Sequence, residues 1–522
     1  MNYRNIIYSL SMLMLVIGGG MFATVYVGYY CKDSDAHLLS MTFSAGATLL
    51  FSLIGILFSA RGDRSSRRTS EAREGFIIIS LAWLMAILFG SIPFILCQNF
   101  TVADAIFETA SGFTTTGASV IDTELVLRTG EKLTGGLESL PQCLLFWRSM
   151  LNWLGGIGFV MFILMILPAL GGGKQLYNAE VPGLKTFGDQ LTPRLATTAR
   201  LMLACYIVWT AIVVVTYRLL GMTSWFEAVC HAFTTVSTGG FSTHAASFGF
   251  FTRPALQWAS TFFMLVSSFN LLYLLKLFFF GKFEFHKDEE IRWFLTLAIV
   301  AALIFSIQLF IQKKPFEMTN GDMSQPKWEP IIRTTTFHVV SVMSTTGYTT
   351  SDYINWNLPG LPALLLFLML LGGCGGSTAG GLKIVRLIVI FKQSLIELKR
   401  RIFPHLVPNV RVGATSVEQS VVQQTMGFLF LYIGTIVIGT LILPYICQMD
   451  FETAFSSTMT AVSNVGPGIG RISPSYTFSW MNAPAKLLLS FAMIAGRLEL
   501  YTVFIVLSPY FWRTHLIFTS RK

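Results

Sequence analysis

Four short strings of small and hydroxyl-bearing residues recur in a chain that is otherwise dominated by apolar runs. They are Thr114-Thr115-Thr116-Gly117, Val236-Ser237-Thr238-Gly239, Ser344-Thr345-Thr346-Gly347 and Ser463-Asn464-Val465-Gly466. A cation that crosses a membrane must exchange its hydration shell for other oxygen ligands, and backbone carbonyls supply these without adding a full charge. Glycine permits the backbone angles that let successive carbonyls point the same way. The strings contain no carboxylate, which disfavours an acidic ring and divalent selectivity.

The strings are periodic along the chain. Their last residues, Gly117, Gly239, Gly347 and Gly466, are separated by 122, 108 and 119 residues. Each string follows a half-length amphipathic piece that is too short to span a membrane. One such motif alone is most often an ordinary turn, but four at near-constant spacing indicate an internal repeat. A re-entrant segment is tolerated at membrane depth only where it lines a water-filled path or is buried in protein, so four of them predict a pore.

The composition is typical of an all-α polytopic membrane protein. Of the 522 residues, 53% are hydrophobic and 12% are charged, whereas soluble domains carry about 25% charged residues. Ten apolar segments are predicted to cross the membrane, at 6–28, 38–60, 75–97, 142–170, 196–220, 254–281, 291–312, 358–395, 426–448 and 484–512. We predict two extra N-terminal helices in 1–70, followed by four pseudo-symmetric helix/pore-loop/helix repeats around a central pore, in 71–190, 191–288, 289–415 and 416–522.

The net charge of +10 does not indicate nucleic-acid binding, because the basic residues lie between the apolar segments. The loops 61–74, 171–195, 282–290 and 396–425 hold most of the lysine and arginine. By the positive-inside rule these loops are cytoplasmic, which places both termini in the cytoplasm. The seven cysteines show no CxxC pair or Cys/His cluster, so neither a zinc site nor a redox site is expected.

Several carboxylates accompany the short amphipathic pieces. They are Asp104, Glu108, Glu227, Glu329, Asp450 and Glu452. We expect them at or near the outer ends of four short helices, where they would offset the helix dipole or make a mildly acidic vestibule. The opposite ends of these helices would direct a partial negative charge toward the pore axis and favour a cation there.

A glycine-rich stretch interrupts the apolar segment 358–395. Six of the ten residues from Gly372 to Gly381 are glycine, and each costs about 1 kcal/mol relative to alanine inside a helix. A phosphate-binding loop is disfavoured because Leu382 separates Gly381 from Lys383. Close glycine packing between helices is one alternative. The other is an irregular intramembrane loop that lines the pore, with Ser377 and Thr378 facing water.

Arg497 lies far from either end of its apolar segment. A charge at that depth is costly unless it faces a cavity or a partner. An ion pair with Glu499 and a helix-packing anchor are the structural alternatives to a role in the pore. Lys276 lies nearer the predicted cytoplasmic end of its segment, where its long side chain can reach the membrane surface.

The ordered motifs resemble those of the Trk/Ktr/HKT superfamily of potassium transporters. The similarity is carried by "SGFTTTGAS", "TTVSTGGFS", "SVMSTTGYTT", "SNVGPGIG", "GGCGGSTAGGLKIVR" and "AGRLEL", and it spans nearly the whole chain. The two additional N-terminal helices make the chain most similar to the TrkH branch. The resemblance implies a homodimer in the bacterial cytoplasmic (inner) membrane, with a K⁺-conducting pore in each protomer.

The resemblance also assigns roles to residues. The four strings match the filter strands, with K⁺ held at Thr115, Thr116, Ser237, Thr238, Thr345, Thr346, Asn464 and Val465. A glycine at position 117 goes with preference for potassium, whereas a serine there goes with preference for sodium. Residues Gly375, Gly376, Ser377, Thr378, Ala379, Gly380 and Gly381 match an intramembrane gating loop, and Arg497 matches an arginine that forms an electrostatic barrier near the gate.

The family also implies a partner, a cytoplasmic TrkA-type subunit that binds nucleotide and NAD. Nothing in this chain resembles that subunit, and no organic cofactor is expected. An ion-coupled secondary transporter of another small solute is the alternative function, although such proteins usually show inverted repeats and several deep ionisable residues. No HExxH, GxSxG or grouped acid/base residues favour an enzyme. Channel-like transport and coupling to H⁺ or Na⁺ both stay open.

Overall fold

The computed structural model describes residues 3–60, 72–158, 195–281, 285–313, 315–321, 323–324, 327–405, 409–413 and 415–513. These residues form an all-α polytopic protein, as the composition predicted. The helices are α1 Tyr3–Tyr30, α2 Asp35–Ala60, α3 Ala72–Gly90, α4 Ile92–Gln98, α5 Val102–Phe113, α6 Gln142–Trp153, α7 Leu195–Leu220, α8 Trp225–Val236, α9 Pro254–Ser267, α10 Leu271–Phe280, α11 Glu289–Gln312, α12 Trp328–Met343, α13 Leu361–Leu371, α14 Ile384–Ile402, α15 Gln419–Ile446, α16 Phe451–Ser463, α17 Ala483–Arg497, α18 Tyr501–Leu507 and α19 Pro509–Arg513.

Short elements complete the described fold. A π-helical segment, Leu154–Gly158, continues α6, and 3₁₀ turns occur at Gly136–Ser139, Ser247–Phe250, Phe285–Lys287 and Tyr353–Trp356. Two antiparallel hairpins are present, β1 Phe316–Glu317 with β2 Met323–Ser324, and β3 Arg411–Val412 with β4 Thr415–Ser416. Only the second hairpin lies in a loop that the sequence predicts to be cytoplasmic.

The long helices have the burial pattern of membrane-spanning segments. In α11, Ala301 and Phe305 are buried while Ile307 and Ile311 are exposed. Exposed aliphatic side chains on a helix of this length are stable against lipid rather than water. Six of the described helices are long and apolar enough to cross a membrane, and two bent helix pairs raise that number to eight. Two of the ten predicted crossings fall outside this count, because 358–395 is broken and residues 159–194 lie outside the described residues.

Two of the predicted crossings bend sharply at a short break between two helices. The segment 254–281 bends by 101° between α9 and α10, and 484–512 bends by 114° between α17 and α18. At the first bend the side chain of Asn270 accepts a 2.9 Å hydrogen bond from the Leu272 N–H and starts a new helix. At the second, Glu499 and Leu500 have positive φ angles of 55° and 25°, which α-helical geometry does not allow.

Four short helices, α5, α8, α12 and α16, lie inside the molecule. Their first turns are set by local sequence, since Thr101, Ser224 and Asp450 accept hydrogen bonds from backbone N–H groups as N-caps of α5, α8 and α16. Each short helix packs between the helix that follows it and the corresponding helix of the preceding repeat. The contacts run α5–α6–α8–α9–α12–α13–α16–α17 and return to α5. The eight helices therefore form a closed ring. Each string begins where one of the four short helices ends.

Candidate functional site: four strings above a glycine loop

The four strings share one backbone conformation that begins where each short helix ends. Thr115, Thr238, Thr345 and Asn464 have φ between 54° and 57°, and two residues later Gly117, Gly240, Gly347 and Gly466 have φ between 71° and 92°. Left-handed backbone is costly for residues with a side chain, and each threonine or asparagine N–H is paired with a carbonyl of its own helix end. These paired bonds hold the strained residue in place.

The shared conformation shifts the second string by one residue from the alignment that the sequence suggested. Gly240, not Gly239, corresponds to Gly117, Gly347 and Gly466, and Val236 is still the last residue of α8. The hydrogen bonds agree, because Gly239 N–H bonds to Thr234 as Thr116 N–H bonds to Ser111. The structural string is therefore Ser237-Thr238-Gly239-Gly240. The doubled glycine in "STGGFS" concealed this register.

The four glycines and four neighbouring carbonyls make a closed cycle. A side chain at Gly117 would collide with the carbonyl oxygen of Gly239, and one at Gly240 with that of Thr346. In the same way, Gly347 lies against the carbonyl of Val465, and Gly466 lies against the carbonyl of Thr116. Each string thus contacts the next by the same pair of positions. Four carbonyl oxygens from four parts of the chain meet around one axis.

The string side chains are buried and partly bonded to one another. The hydroxyls of Thr114 and Thr116 lie 2.7 Å apart, as do those of Ser344 and Thr346. The Asn464 amide donates to the Thr116 hydroxyl at 2.9 Å and links the fourth string to the first. Among the described residues, the Thr115 hydroxyl and the Asn464 amide oxygen have no hydrogen-bond partner. Buried oxygens of this kind are suited to interact with a cation.

Each short helix carries one buried residue at the same position relative to its string. This position is seven residues before the first left-handed residue of the string, and it is occupied by Glu108, His231, His338 and Ser457. Glu108 accepts a 3.0 Å hydrogen bond from the Val120 N–H, and the rings of His231 and His338 lie 3.0 Å from Ser242 Oγ and the Ser351 carbonyl oxygen, respectively. Three short helices thereby hold the segment that leaves their own string.

Arg148 is a site residue that the sequence analysis missed. Its guanidinium pairs with the Glu108 carboxylate at 2.5 Å, donates to the Ser242 carbonyl at 2.7 Å and lies 3.6 Å from the centre of the Phe241 ring. Because Ser242 follows the second string and Glu108 supports the first, Arg148 joins the two. Glu108 is accordingly a buried ion-pair partner, and the prediction that it lies at an outer helix end is wrong.

The other carboxylates of the short helices have varied partners. Asp104 forms a buried 2.6 Å ion pair with Lys486, Glu227 lies 3.0 Å from His244, and Glu329 pairs with Arg333. Glu452 is exposed. As the N-cap of α16, Asp450 accepts hydrogen bonds from the Thr453 side chain and N–H, and these lower the pKa of its carboxyl. Asp450 thus stabilises a helix end, as expected.

A cavity of about 290 Å³ lies directly above the strings. All four string glycines, Gly117, Gly240, Gly347 and Gly466, line its floor, and its wall includes Asp122, Glu138, Arg148 and His244. The cavity therefore adjoins the cycle of carbonyls. It has the position and the mixed charge of a vestibule.

The glycine-rich stretch is a non-helical loop, as predicted. Helix α13 ends at Leu371 and α14 begins at Ile384, and the residues between them turn back under the strings. The Gly380 N–H donates to the Thr345 hydroxyl at 2.8 Å, and the Thr378 hydroxyl lies 3.2 Å from the Val236 carbonyl. A side chain at Gly380 would collide with the Ser463 carbonyl. The loop is thus in direct contact with three of the strings or their helices.

Arg497 connects the glycine loop to the first repeat. Its guanidinium donates to the Thr378 carbonyl at 2.7 Å and to the carbonyls of Gly155 and Gly156 at 3.1 and 3.0 Å. Glu499, which the sequence offered as its ion-pair partner, forms a 2.5 Å ion pair with Arg386. Arg497 is the last residue of α17, so the bend that follows allows the loop to approach it.

Lys276 lies over the Tyr273 ring at 5.6 Å.

These features define a membrane transport protein in which four pore-loop repeats surround one axis. A family model described as TrkH, cation transport protein, matches residues 40–513. The chain belongs to this TrkH family of cation transport proteins, as the motifs predicted.

Individual members of the family match over almost their full length. The chain is 34% identical over 520 residues to the Trk system potassium uptake protein TrkH of Vibrio parahaemolyticus, which covers 98% of this chain and 100% of the relative. It is also 34% identical to TrkG of Escherichia coli K12, over 97% of this chain and 96% of the relative. The crystal structure of the potassium transporter TrkH from Vibrio parahaemolyticus superposes with a TM-score of 0.83 at 31% identity, covering 98% of this chain and 100% of that chain. The relatives are named as transport proteins, which agrees with the expectation that the chain is not an enzyme.

Proposed function

We propose that the chain takes up K⁺ across the bacterial cytoplasmic membrane through a filter of backbone carbonyls. The observation that carries this proposal is the cycle in which the carbonyls of Thr116, Gly239, Thr346 and Val465 each lie against a glycine of the next string. Carbonyl ligands replace the hydration shell of a monovalent cation without holding it too tightly. The names of the relatives, which are potassium uptake proteins, favour K⁺ as the transported ion.

The common register refines the residues that bind K⁺ in this proposal. Thr115 and Thr116, Thr345 and Thr346, and Asn464 and Val465 keep the assignment made from the sequence. In the second string the corresponding pair is Thr238 and Gly239, one residue later than Ser237 and Thr238, because of their backbone angles. The unpartnered oxygens of Thr115 and Asn464 support binding near the end of the filter that faces the glycine loop.

We further propose that residues 375–381 and Arg497 form the gate of this pore. The loop contacts Thr345 of the third string and Ser463 of the fourth string. An ion that leaves the filter on this side therefore meets the loop first. Arg497 places a positive charge at the loop carbonyl of Thr378, where it opposes the passage of a cation. Movement of the loop together with this arginine would open the path.

The same proposal includes an assembly and a regulator. The chain would act as a homodimer with both termini in the cytoplasm, and a TrkA-type nucleotide- and NAD-binding subunit would bind its cytoplasmic loops. Two observations support a cytoplasmic regulator. The relatives are named as parts of a Trk system, and the β3–β4 hairpin connects to the gate through contacts described below.

Growth at limiting potassium tests the function directly. The full-length chain is expressed in a bacterial strain that lacks its own potassium uptake systems but retains the cytoplasmic Trk subunit. We expect growth at low K⁺ with the wild type and loss of growth with Gly240→Ala, whose side chain would displace the Thr346 carbonyl. Wild-type growth no better than that of the empty strain, with the protein present in the membrane, would contradict K⁺ uptake and favour transport of another solute.

A further inference from the structure

Glu290 is a buried carboxylate at the start of α11 that the sequence analysis assigned only to a cytoplasmic loop. It is 1% exposed, and one oxygen, Oε1, accepts hydrogen bonds from the Gly375 N–H at 2.7 Å and the Val385 N–H at 2.9 Å. A buried carboxylate is stable only when such partners compensate its lost hydration. Both partners belong to the glycine loop or to the first turn of the helix after it.

The two hydrogen bonds join the two ends of the proposed gate segment. Gly375 is at the start of the gate segment and Val385 is just beyond its end, so a single oxygen atom holds both sides of residues 376–384. The loop therefore cannot move away from the strings as a unit without breaking at least one of these bonds or taking α11 with it.

The preceding residue faces a different element. The Glu289 carboxylate accepts a 2.7 Å hydrogen bond from the Gly413 N–H and pairs with Lys392 at 2.6 Å. Gly413 lies in the turn of the β3–β4 hairpin, and Lys392 also donates to the Arg411 carbonyl at 2.7 Å. Consecutive residues of one helical turn are thus attached to the hairpin on one side and to the glycine loop on the other.

We propose that Glu290 is a latch that keeps the glycine loop seated beneath the strings, and that Glu289 transmits movement of the β3–β4 hairpin to this latch. The proposal rests on the gate assigned above and adds the link by which a cytoplasmic partner would act on it. Glu290 touches no transported ion in this account. It is a positioning residue for the loop.

Rubidium flux through the purified full-length chain in liposomes, without any partner, tests the latch. Glu290→Ala removes the acceptor, and Val385→Pro removes one donor at a position in the first helical turn where proline is tolerated. We expect flux per folded protein to rise about tenfold in both variants, as a loss of about 1.4 kcal/mol from the closed state would give. Glu290→Gln, which keeps an acceptor oxygen, and Val385→Ala, which keeps the N–H, should stay close to the wild type.

The readouts separate the latch from a merely structural role and from failure of the gate itself. Wild-type flux in both Glu290→Ala and Val385→Pro, even with a lowered midpoint of thermal unfolding, would overturn the latch. Deletion of residues 375–381 is the positive control. If this deletion raises flux and the latch variants do not, the gate proposal is supported and the latch proposal is wrong. If the deletion does not raise flux, both proposals are wrong.

Hydrogen exchange tests the connection to the hairpin, because it reports local opening of the amides concerned. We expect the peptide that covers residues 375–385 to exchange faster in Glu289→Ala than in the wild type, without faster exchange of the short helices. Unchanged exchange in this peptide would overturn the role of Glu289.

Discussion

Gly239 and Gly240 are adjacent residues with different backbone requirements. Gly240 has a φ of 71° and faces the Thr346 carbonyl. Gly239 has an ordinary φ and faces the side chain of Asn152 instead of a backbone carbonyl. The cycle of carbonyls depends on this difference, because only the second glycine occupies the position shared by all four strings.

Alanine at these two positions should therefore have unequal effects. Gly240→Ala adds left-handed strain of about 1–2 kcal/mol as well as a collision with a backbone carbonyl, so we expect rubidium uptake to fall severely. Gly239→Ala, the matched control, should retain more uptake. The measurement is initial uptake rate per folded protein in liposomes. A greater loss at Gly239 than at Gly240 would contradict the structural register.

The ion pair of Glu108 and Arg148 makes a prediction about stability. Arg148→Gln leaves a carboxylate buried without its cation, and breaking a buried pair in this way costs about 3–5 kcal/mol. We expect a marked fall in the midpoint of thermal unfolding in detergent, with partial recovery in the double variant Glu108→Gln/Arg148→Gln. A double variant less stable than Arg148→Gln would contradict the pairing.

Sequence patterns predicted the residues of the strings but not all of their surroundings. The strings could be located because glycine and threonine repeat at near-constant spacing. The register of the second string could not be fixed, because either glycine of "STGG" satisfies the motif and only the backbone angles distinguish them. The Glu108–Arg148 pair was beyond local patterns, since its members are 40 residues apart and meet only through the packing of α5 on α6.

Among the helices that the structure describes, two spans bend sharply and a third is broken by the glycine loop. Only the third interruption was predictable. The break between α13 and α14 follows from the cost of glycine in a helix. The bends at Ser268–Asn270 and after Arg497 occur in sequences without glycine runs or proline, where a single capping asparagine or two residues with positive φ suffice. The bend at Ser268–Asn270 matters to the site, because the Ser268 carbonyl accepts a hydrogen bond from the Cys374 N–H of the loop at 3.0 Å.

The contacts of Arg497 predict its effect on the proposed gate. Arg497→Ala removes three hydrogen bonds to backbone carbonyls and the positive charge beneath the strings. We expect higher rubidium flux in the absence of a partner, whereas Arg497→Lys, which keeps the charge, should be closer to the wild type. The measurement is flux into liposomes that contain the purified chain. Flux in Arg497→Ala at or below the wild-type value would contradict a barrier at this residue.

The ring of eight helices gives the four strings a common axis. Repetition in the sequence predicted four similar units, and the structure and the family comparison agree with that fold. The sequence did not reveal how neighbouring units interlock. That arrangement depends on each short helix packing between the following helices of two successive repeats, which are far apart in the chain.

Competition between ions for rubidium uptake tests whether the four strings form a potassium filter. Liposomes carry either the wild-type chain or the variant without residues 375–381, so that a closed gate cannot conceal a working filter. We expect uptake above that of protein-free liposomes, stronger inhibition by external K⁺ than by Na⁺, and loss of uptake on Gly240→Ala in both backgrounds. Uptake no greater than in protein-free liposomes, or uptake unchanged by Gly240→Ala, would contradict a potassium filter built from the four strings.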